Sequence, residues 1–261
     1  MNMAVPRCNI FITGCNRGLG LEFVKQFLRS KNPPEHLIAT CRSLAGESAS
    51  ELKKLAAENQ NLHLLELEVT DFQAIQRCAE QTREIVQDKG LHILVNNAGI
   101  LDPAGLLDVT EEQMIRVFKA NTVAPLQIVQ AFLPLLKQGG KTASFQDQAP
   151  KFPNALIVQM STKIASIQDN RPGGLYPGGL YPYRASKSAL NIVSKSMSVD
   201  LKGDGISVVI LHPGWVQTDM GGPNASMAIE ESVAGMLSVL ANFDESKNGM
   251  FIDFKGNIVP W

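Results

Sequence analysis

Cysteine, tyrosine and excess charge of either sign are all scarce in this sequence. Of 261 residues, 4 are cysteine, 3 tyrosine and 2 tryptophan, and 24 basic residues face 25 acidic ones. The cysteines form no CxxC pair, which argues against a disulfide framework and against a zinc or other metal site. A net charge of −1 gives no electrostatic reason to expect nucleic acid or an anionic membrane as a partner. Small molecules are therefore the expected partners.

Long apolar runs are missing as well. No stretch approaches the ~18 residues that span a bilayer, and the opening MNMAVPRCNI lacks the apolar core and cleavage site of a secretory signal. We expect a cytoplasmic protein. Because 44% of the residues are hydrophobic and 19% are charged, the chain can nevertheless bury a large core. Its length predicts a single domain over residues 1–261.

Apolar segments of strand length alternate with amphipathic segments of helix length along nearly the whole chain. Strands are predicted over 8–13, 36–40, 62–67, 91–96, 155–160, 206–211 and 250–254, and helices over 19–30, 47–58, 71–88, 111–137, 183–201 and 225–241. Residues 139–153 and 169–182, rich in polar residues, glycine and proline, are predicted loops. Uniformly apolar strands between helices indicate a parallel sheet covered on both faces. The predicted fold is doubly wound α/β, the Rossmann fold, with about seven strands.

A glycine-rich motif, TGCNRGLG, lies between the first strand and the first helix. Its glycines allow a tight turn and a close approach to a pyrophosphate, which the N–H groups of the helix can bind. A plain turn is the alternative, and the position between strand and helix argues against it. At the end of the second strand Arg42 stands where NAD-binding folds place an acid, and Arg17 lies in the glycine turn. Two guanidiniums suit a 2′-phosphate, so NADPH is the predicted cofactor; the alternative is that both are ordinary surface arginines.

All three tyrosines lie within GGLYPGGLYPYRASK, before a predicted helix. Tyr183 and Lys187 are four residues apart and share one face of that helix. Since a neighbouring ammonium favours phenolate, we expect Lys187 to lower the pKa of Tyr183 from its usual ~10. Tyr176 and Tyr181 have no lysine four residues later and are interpreted as loop aromatics. Tyr183 is therefore the predicted proton donor.

Together with NNAG (96–99) and HPGWVQTDM (212–220), these motifs stand in the order found in the short-chain dehydrogenase/reductase superfamily, which the chain resembles over nearly its whole length. Several stretches are similar to its carbonyl reductases. The resemblance implies hydride transfer from NADPH to a small aldehyde, ketone or quinone. It implies that Tyr183 donates the proton and that Lys187 adjusts the pKa of Tyr183 and holds the nicotinamide ribose. It also implies that Asn121 bends a helix to hold a proton-relay water.

One position departs from the family pattern. Where the family has two serines at the end of the fifth strand, the second being catalytic, this chain has Ser161 and Thr162. Because side chains alternate along a strand, only one of these hydroxyls should face the nicotinamide. Both stay candidates, and the family position favours Thr162. The interval from Thr162 to Tyr183 is also longer than in the family, because of the 169–182 loop, and this leaves the size of the substrate open.

The resemblance also implies where the cofactor binds. Adenine would be flanked by Glu68 and Val69, the adenosine ribose would lie along the NNAG segment, and Thr218 would bind the nicotinamide amide. The implied cofactor contacts are Gly14, Asn16, Arg17, Gly18, Leu19, Gly20, Arg42, Glu68, Val69, Asn97, Ala98, Gly99, Asn121, Tyr183, Lys187, Pro213, Gly214, Val216 and Thr218. His212, alone at a strand end, is interpreted as structural. A homo-oligomer, dimer or tetramer, is implied by analogy alone.

Two functions remain open at this point. One is the NADPH-dependent carbonyl reductase, and the other is a non-catalytic NADPH-binding redox sensor or regulator on the same fold. The intact Tyr183 and Lys187 pair favours the enzyme, since a sensor needs no proton donor, whereas Thr162 is the feature that favours the sensor. The physiological substrate cannot be read from the sequence, because the loops that would form its pocket are the segments that patterns predict least well.

Overall fold

Within the residues that the structure describes (7–142, 153–173 and 178–261), seven strands form one parallel sheet. They are β1 (Asn9–Ile12), β2 (His36–Cys41), β3 (Leu62–Glu66), β4 (Ile93–Asn96), β5 (Ala155–Met160), β6 (Ile206–His212) and β7 (Phe251–Asp253). In this computed structural model their order across the sheet is β3-β2-β1-β4-β5-β6-β7. The winding reverses between β1 and β4, and such a switch point is where open α/β sheets bind ligands.

Helices cover both faces of the sheet. They are α1 (Gly18–Leu28), α2 (Ser50–Glu58), α3 (Phe72–Val86), α4 (Glu111–Phe118), α5 (Ala124–Thr142), α6 (Tyr181–Asp200) and α7 (Ile229–Ala241). Alternate residues of β1 belong to two different hydrophobic cores. Ile10 and Ile12 pack with helices α1, α2 and α7. Phe11 packs with helices α3, α5 and α6. The Phe11 and Phe132 rings lie 4.4 Å apart, centroid to centroid. The predicted doubly wound fold is therefore confirmed.

The helices differ from the prediction at several boundaries. The segment predicted as one helix over 111–137 consists of α4, a π-helical turn (Lys119–Val123) and α5. The prediction of a loop from Gly139 is wrong at its start, because α5 continues to Thr142. A Cβ at Gly139 would lie 2.1 Å from the Leu91 carbonyl oxygen, so this glycine allows close helix packing and does not end the helix. No helix in the described part of the chain is both long and apolar enough to cross a bilayer.

The second predicted loop, 169–182, is also shorter than expected. Helix α6 begins at Tyr181, with Pro182 in its first turn. Backbone N–H groups in the first turn have no acceptor within the helix, so a proline there removes no helical hydrogen bond. The preceding Leu180 adopts a φ of 51°, a left-handed conformation that ends the loop abruptly. Tyr176 and residues 143–152 lie outside the described residues.

Candidate active site

The glycine turn between β1 and α1 has the geometry of a phosphate-binding loop. Gly14 and Gly18 have φ values of 72° and 57°, a region that side chains disfavour. A Cβ at Gly20 would lie 2.1 Å from the Gly14 carbonyl oxygen, so α1 can start this close to the turn only with glycine there. Among the described residues no side chain caps α1, and its first turn holds no acidic residue. The N–H groups and positive dipole end of α1 are thus available to an anion.

The NNAG segment at the end of β4 supports this turn. Asn97 Nδ2 donates to the carbonyl oxygens of Thr13 and Gly14, at 2.9 and 3.1 Å. Thr13 Oγ1 in return accepts from the N–H groups of Asn97 and Ala98, at 3.0 and 2.9 Å. The Asn97 side chain, predicted as a cofactor contact, is therefore engaged in holding the turn. The supporting role of Thr13 was missed by the sequence analysis, although the residue opens the glycine motif.

The two arginines predicted to hold the 2′-phosphate are both exposed, but their partners differ. Arg17 Nη1 donates to Asp219 Oδ2 at 2.5 Å. Arg42 directly follows β2, and no described residue forms a hydrogen bond or ion pair with it. The carboxylate of Glu68, predicted to flank the adenine, accepts from the N–H and hydroxyl of Thr70 at 3.0 and 2.8 Å. The Arg42 guanidinium can therefore bind an anion without first losing a partner, whereas the Arg17 guanidinium would have to give up Asp219.

Helix α6 brings Tyr183 and Lys187, both buried, to the carboxyl end of β5. Lys187 Nζ donates to the Met160 carbonyl oxygen at 2.7 Å. Burial raises the pKa of Tyr183 to about 12 and lowers that of Lys187 to about 8. The expected lowering of the Tyr183 pKa is therefore wrong, because burial removes the hydration that would stabilise the phenolate. At neutral pH Tyr183 is the protonated phenol.

The two hydroxyl residues after β5 have different surroundings. Ser161 is buried, and its Oγ donates to Asn191 Oδ1 at 2.6 Å. Thr162 is half-buried with an extended backbone (φ −152°, ψ 144°), and its side chain does not cap the following turn. Among the described residues, none accepts a hydrogen bond from the Thr162 hydroxyl. Asn191, four residues beyond Lys187, was not singled out from the sequence.

The segment after β5 is fixed to α6 by further hydrogen bonds. Arg184 Nη1 and Ser188 Oγ donate to the carbonyl oxygens of Ile164 and Ala165, at 2.8 and 2.6 Å. Arg184 precedes Lys187 and Ser188 by about one helical turn. The segment that follows the two hydroxyl candidates is therefore hydrogen-bonded to the helix that carries Tyr183.

Asn121 lies in the π-helical turn between α4 and α5. Its Oδ1 accepts from the Ile100 N–H at 2.9 Å, and its Nδ2 donates to the Ile100 carbonyl and to Ser186 Oγ, at 2.8 and 3.0 Å. A Cβ at Gly99 would lie 3.1 Å from Asn121 Oδ1 and 3.5 Å from Lys187 Nζ. A π turn carries one extra residue and is frequent at functional sites; the helix bend expected at Asn121 stays a prediction. Gly99, Asn121 and Lys187 are thus neighbours.

The segment after β6 covers the tyrosine. Met220 Sδ lies 3.8 Å from the Tyr183 hydroxyl. Thr218 Oγ1 accepts from the Gly221 N–H at 3.1 Å, and Gly214 has a φ of 88°. The predicted contacts of the nicotinamide amide all belong to this segment: Pro213, Gly214, Val216 and Thr218.

His212, at the end of β6, has the surroundings of a structural residue. Burial lowers its pKa to about 4, so the imidazole is neutral at physiological pH. The residue is the last of β6, an inner strand of the sheet, and pairs with Asp253 of β7 in the strand register. The interpretation of His212 as a structural residue stays a prediction.

The doubly wound sheet, the glycine turn at its switch point and the buried tyrosine and lysine define a dinucleotide-binding α/β protein of the dehydrogenase type. Residues 8–228 match the short chain dehydrogenase family. The chain belongs to this family.

Two solved structures resemble the protein over almost its whole length. The NADPH-bound carbonyl reductase from chicken fatty liver is 39% identical, covers 98% of this chain and 100% of its own, and superposes with a TM-score of 0.91. The carbonyl reductase Sniffer of D. melanogaster has the same identity, coverage and TM-score. The C-signal protein of Myxococcus xanthus is 39% identical over 170 residues, 65% of this chain and 92% of that protein. The predicted family and the likeness to its carbonyl reductases are confirmed.

Proposed function

We propose that this protein is an NADPH-dependent reductase of small aldehydes, ketones or quinones, with Tyr183 as the proton donor. One observation carries the proposal: α6 holds a buried tyrosine and a buried lysine against the end of β5, which Thr162 follows by two residues. Reduction of a carbonyl needs a proton donor and a second hydrogen bond at the carbonyl oxygen. The NADPH-bound carbonyl reductase from chicken supports this chemistry.

The residues at the switch point fit NADPH. The glycine turn and the α1 N-terminus form a cradle that a Cβ at Gly20 would fill, as a pyrophosphate requires. Arg17 and Arg42 would bind the 2′-phosphate, and the β2 end offers no acid for a ribose 2′-hydroxyl. Lys187 would hold the nicotinamide ribose and Thr218 the nicotinamide amide. When bound, NADPH supplies the hydride.

The side chains around the carbonyl then have distinct tasks. Tyr183, which is a phenol at neutral pH, donates its proton to the substrate oxygen. The Thr162 hydroxyl donates a second hydrogen bond to that oxygen, where negative charge develops. Lys187, with its pKa lowered to about 8, is mostly charged at neutral pH and stabilises the phenolate that remains. A water held near Asn121 returns the proton to Tyr183.

A panel of carbonyl compounds tests the proposal. We expect NADPH oxidation, followed by its absorbance, with some aldehydes, ketones or quinones, and its loss in Tyr183→Phe. A protein that binds NADPH and reduces none of the panel would instead fit the alternative, a non-catalytic NADPH-binding regulator. The carbonyl compound with the highest kcat/KM would define the substrate class.

Assembly and location complete the proposal. Exposed apolar side chains on two adjacent helices, α4 (Ile115, Phe118) and α6 (Ile192, Val199), support a homo-oligomer that pairs through these helices, since such surfaces favour burial. Light scattering of the parent and of Ile192→Glu would test it, with a smaller particle expected for the variant. We place the protein in the cytoplasm.

A further inference from the structure

An ion pair joins two parts of the site that lie 202 residues apart. Arg17, in the glycine turn, and Asp219, in the segment after β6, are 2.5 Å apart between Nη1 and Oδ2. Their side chains are 64% and 76% exposed. Exposed ion pairs contribute little to stability, so Arg17 can exchange Asp219 for another anion at low cost.

The segment that carries Asp219, residues 215–227, is bonded within itself. Trp215 Nε1 donates to the Gly221 carbonyl at 2.8 Å, and the Gln217 N–H donates to the Met227 carbonyl at 2.9 Å. A Cβ at Gly221 would lie 2.0 Å from the Val216 carbonyl oxygen. Hydrogen bonds between residues on either side of Asp219 thus hold the 215–227 segment together.

The residue next to Asp219 lies over the reactive hydroxyl. Met220 Sδ is 3.8 Å from the Tyr183 hydroxyl oxygen, within the space that a carbonyl oxygen needs in order to accept the proton. Because Met220 follows Asp219 in the chain, the 215–227 segment connects the ion pair with the surroundings of the Tyr183 hydroxyl.

The 2′-phosphate of NADPH and the Asp219 carboxylate are rivals for one guanidinium. A phosphate dianion matches the guanidinium fork and carries more charge than a carboxylate, whereas the 2′-hydroxyl of NADH carries none. We propose that Asp219 sets the affinity for NADPH: its carboxylate competes with the 2′-phosphate for Arg17, and a 2′-phosphorylated dinucleotide frees the 215–227 segment from this ion pair. The inference rests on the proposed role of Arg17 in binding NADPH.

Fragments of the cofactor that lack the nicotinamide test the competition for Arg17 without hydride transfer. The probe is 2′,5′-ADP, which carries the 2′-phosphate and lacks the nicotinamide, with 5′-AMP as the control ligand. Asp219→Asn is close to isosteric, and Asp88→Asn, an exposed site on a distant turn, controls for the loss of a charge. We expect Asp219→Asn to bind 2′,5′-ADP about three- to tenfold more tightly than the parent, from the removed pairing and repulsion, with 5′-AMP and Asp88→Asn unchanged.

Trp215 reports the movement of the segment. The chain has two tryptophans, Trp215 and Trp261, so Trp261→Phe leaves Trp215 as the single fluorophore. In this background 2′,5′-ADP should change the Trp215 emission, 5′-AMP should leave it unchanged, and the further substitution Asp219→Asn should abolish the response to 2′,5′-ADP.

The outcomes distinguish this inference from the proposed function. Weaker 2′,5′-ADP binding in Asp219→Asn would mean that Asp219 orients Arg17, and unchanged binding would mean that the pair is irrelevant; either result overturns the inference. If Arg17→Ala still weakens 2′,5′-ADP binding, the cofactor assignment survives that failure. If the parent binds 2′,5′-ADP no better than 5′-AMP, the assignment itself has failed.

Discussion

The phosphate end and the carbonyl end of the site are built differently. At the phosphate end, glycines and the α1 N-terminus present backbone N–H groups, and exposed arginines stand at the rim. At the carbonyl end, the buried side chains of Tyr183 and Lys187 come from α6, and that of Ser161 directly follows β5. Burial shifts the pKa values at the carbonyl end. We therefore expect changes at the phosphate end to alter cofactor affinity, and changes at the carbonyl end to alter rate, protonation and stability.

The largest effect is expected from the proton donor. Tyr183→Phe removes one oxygen and should lower turnover about 10²–10⁴-fold, as loss of a general acid does, with NADPH affinity nearly unchanged. Steady-state kinetics and a fluorescence titration with NADPH would measure the two quantities. Tyr181→Phe is the matched control, since Tyr181 lies partly exposed at the start of α6. Normal turnover in Tyr183→Phe, or its loss in Tyr181→Phe, would show that the wrong ring was chosen.

Lys187 should make stability depend on pH. Its pKa falls from 10.5 to about 8 on folding, so below pH 8 the folded protein carries a buried charge that the unfolded chain carries in water. The buried charge lowers the free energy of unfolding by on the order of 3 kcal/mol. This loss of stability disappears as the pH rises from about 8 to 10.5, because over this range the unfolded chain keeps the proton that the folded protein has released. Lys187→Met has no such cost. Its free energy of unfolding relative to the parent should therefore decrease over this range, and urea unfolding at each pH would measure it; a constant difference would contradict the lowered pKa.

The two hydroxyls after β5 should separate rate from stability. Thr162→Val deletes a hydroxyl that no described residue accepts, and should lower kcat/KM by one to three powers of ten, about 1.4–4 kcal/mol. Thr162→Ser should retain or raise activity. Ser161→Ala should leave Asn191 Oδ1 buried without its donor and cost about 1–3 kcal/mol of stability. If instead Ser161→Ala abolishes the reaction and Thr162→Val is silent, the catalytic hydroxyl is Ser161.

The smallest effect is expected at the rim of the phosphate end. Arg42→Ala should weaken NADPH binding about tenfold or more, because a charge-assisted contact is worth roughly 1.5–3 kcal/mol, with NADH binding little changed. Isothermal titration with both cofactors would show it. Equal affinity of the parent for NADPH and NADH would remove the basis of this prediction.

Features of both ends of the site could be predicted from the sequence. The glycine turn was recognisable because its function depends on backbone conformation, which Gly14, Gly18 and Gly20 signal directly. The Tyr183 and Lys187 pair was recognisable because a spacing of four is a property of any helix. In contrast, Gly139 was misread as a loop residue, since only its contact with Leu91, across the packed fold, explains it.

The amino-acid sequence by itself determined the doubly wound sheet, its order of strands and helices, the glycine turn and the tyrosine and lysine on one helix face, because all of these follow from local periodicity and short spacings. Tertiary structure alone decided the direction of the Tyr183 pKa shift, the partner of Ser161 on α6, the use of Asn97 to hold the glycine turn and the pairing of Arg17 with Asp219. Hydration and hydrogen bonding depend on which distant segments meet, and no local pattern along a chain encodes those meetings.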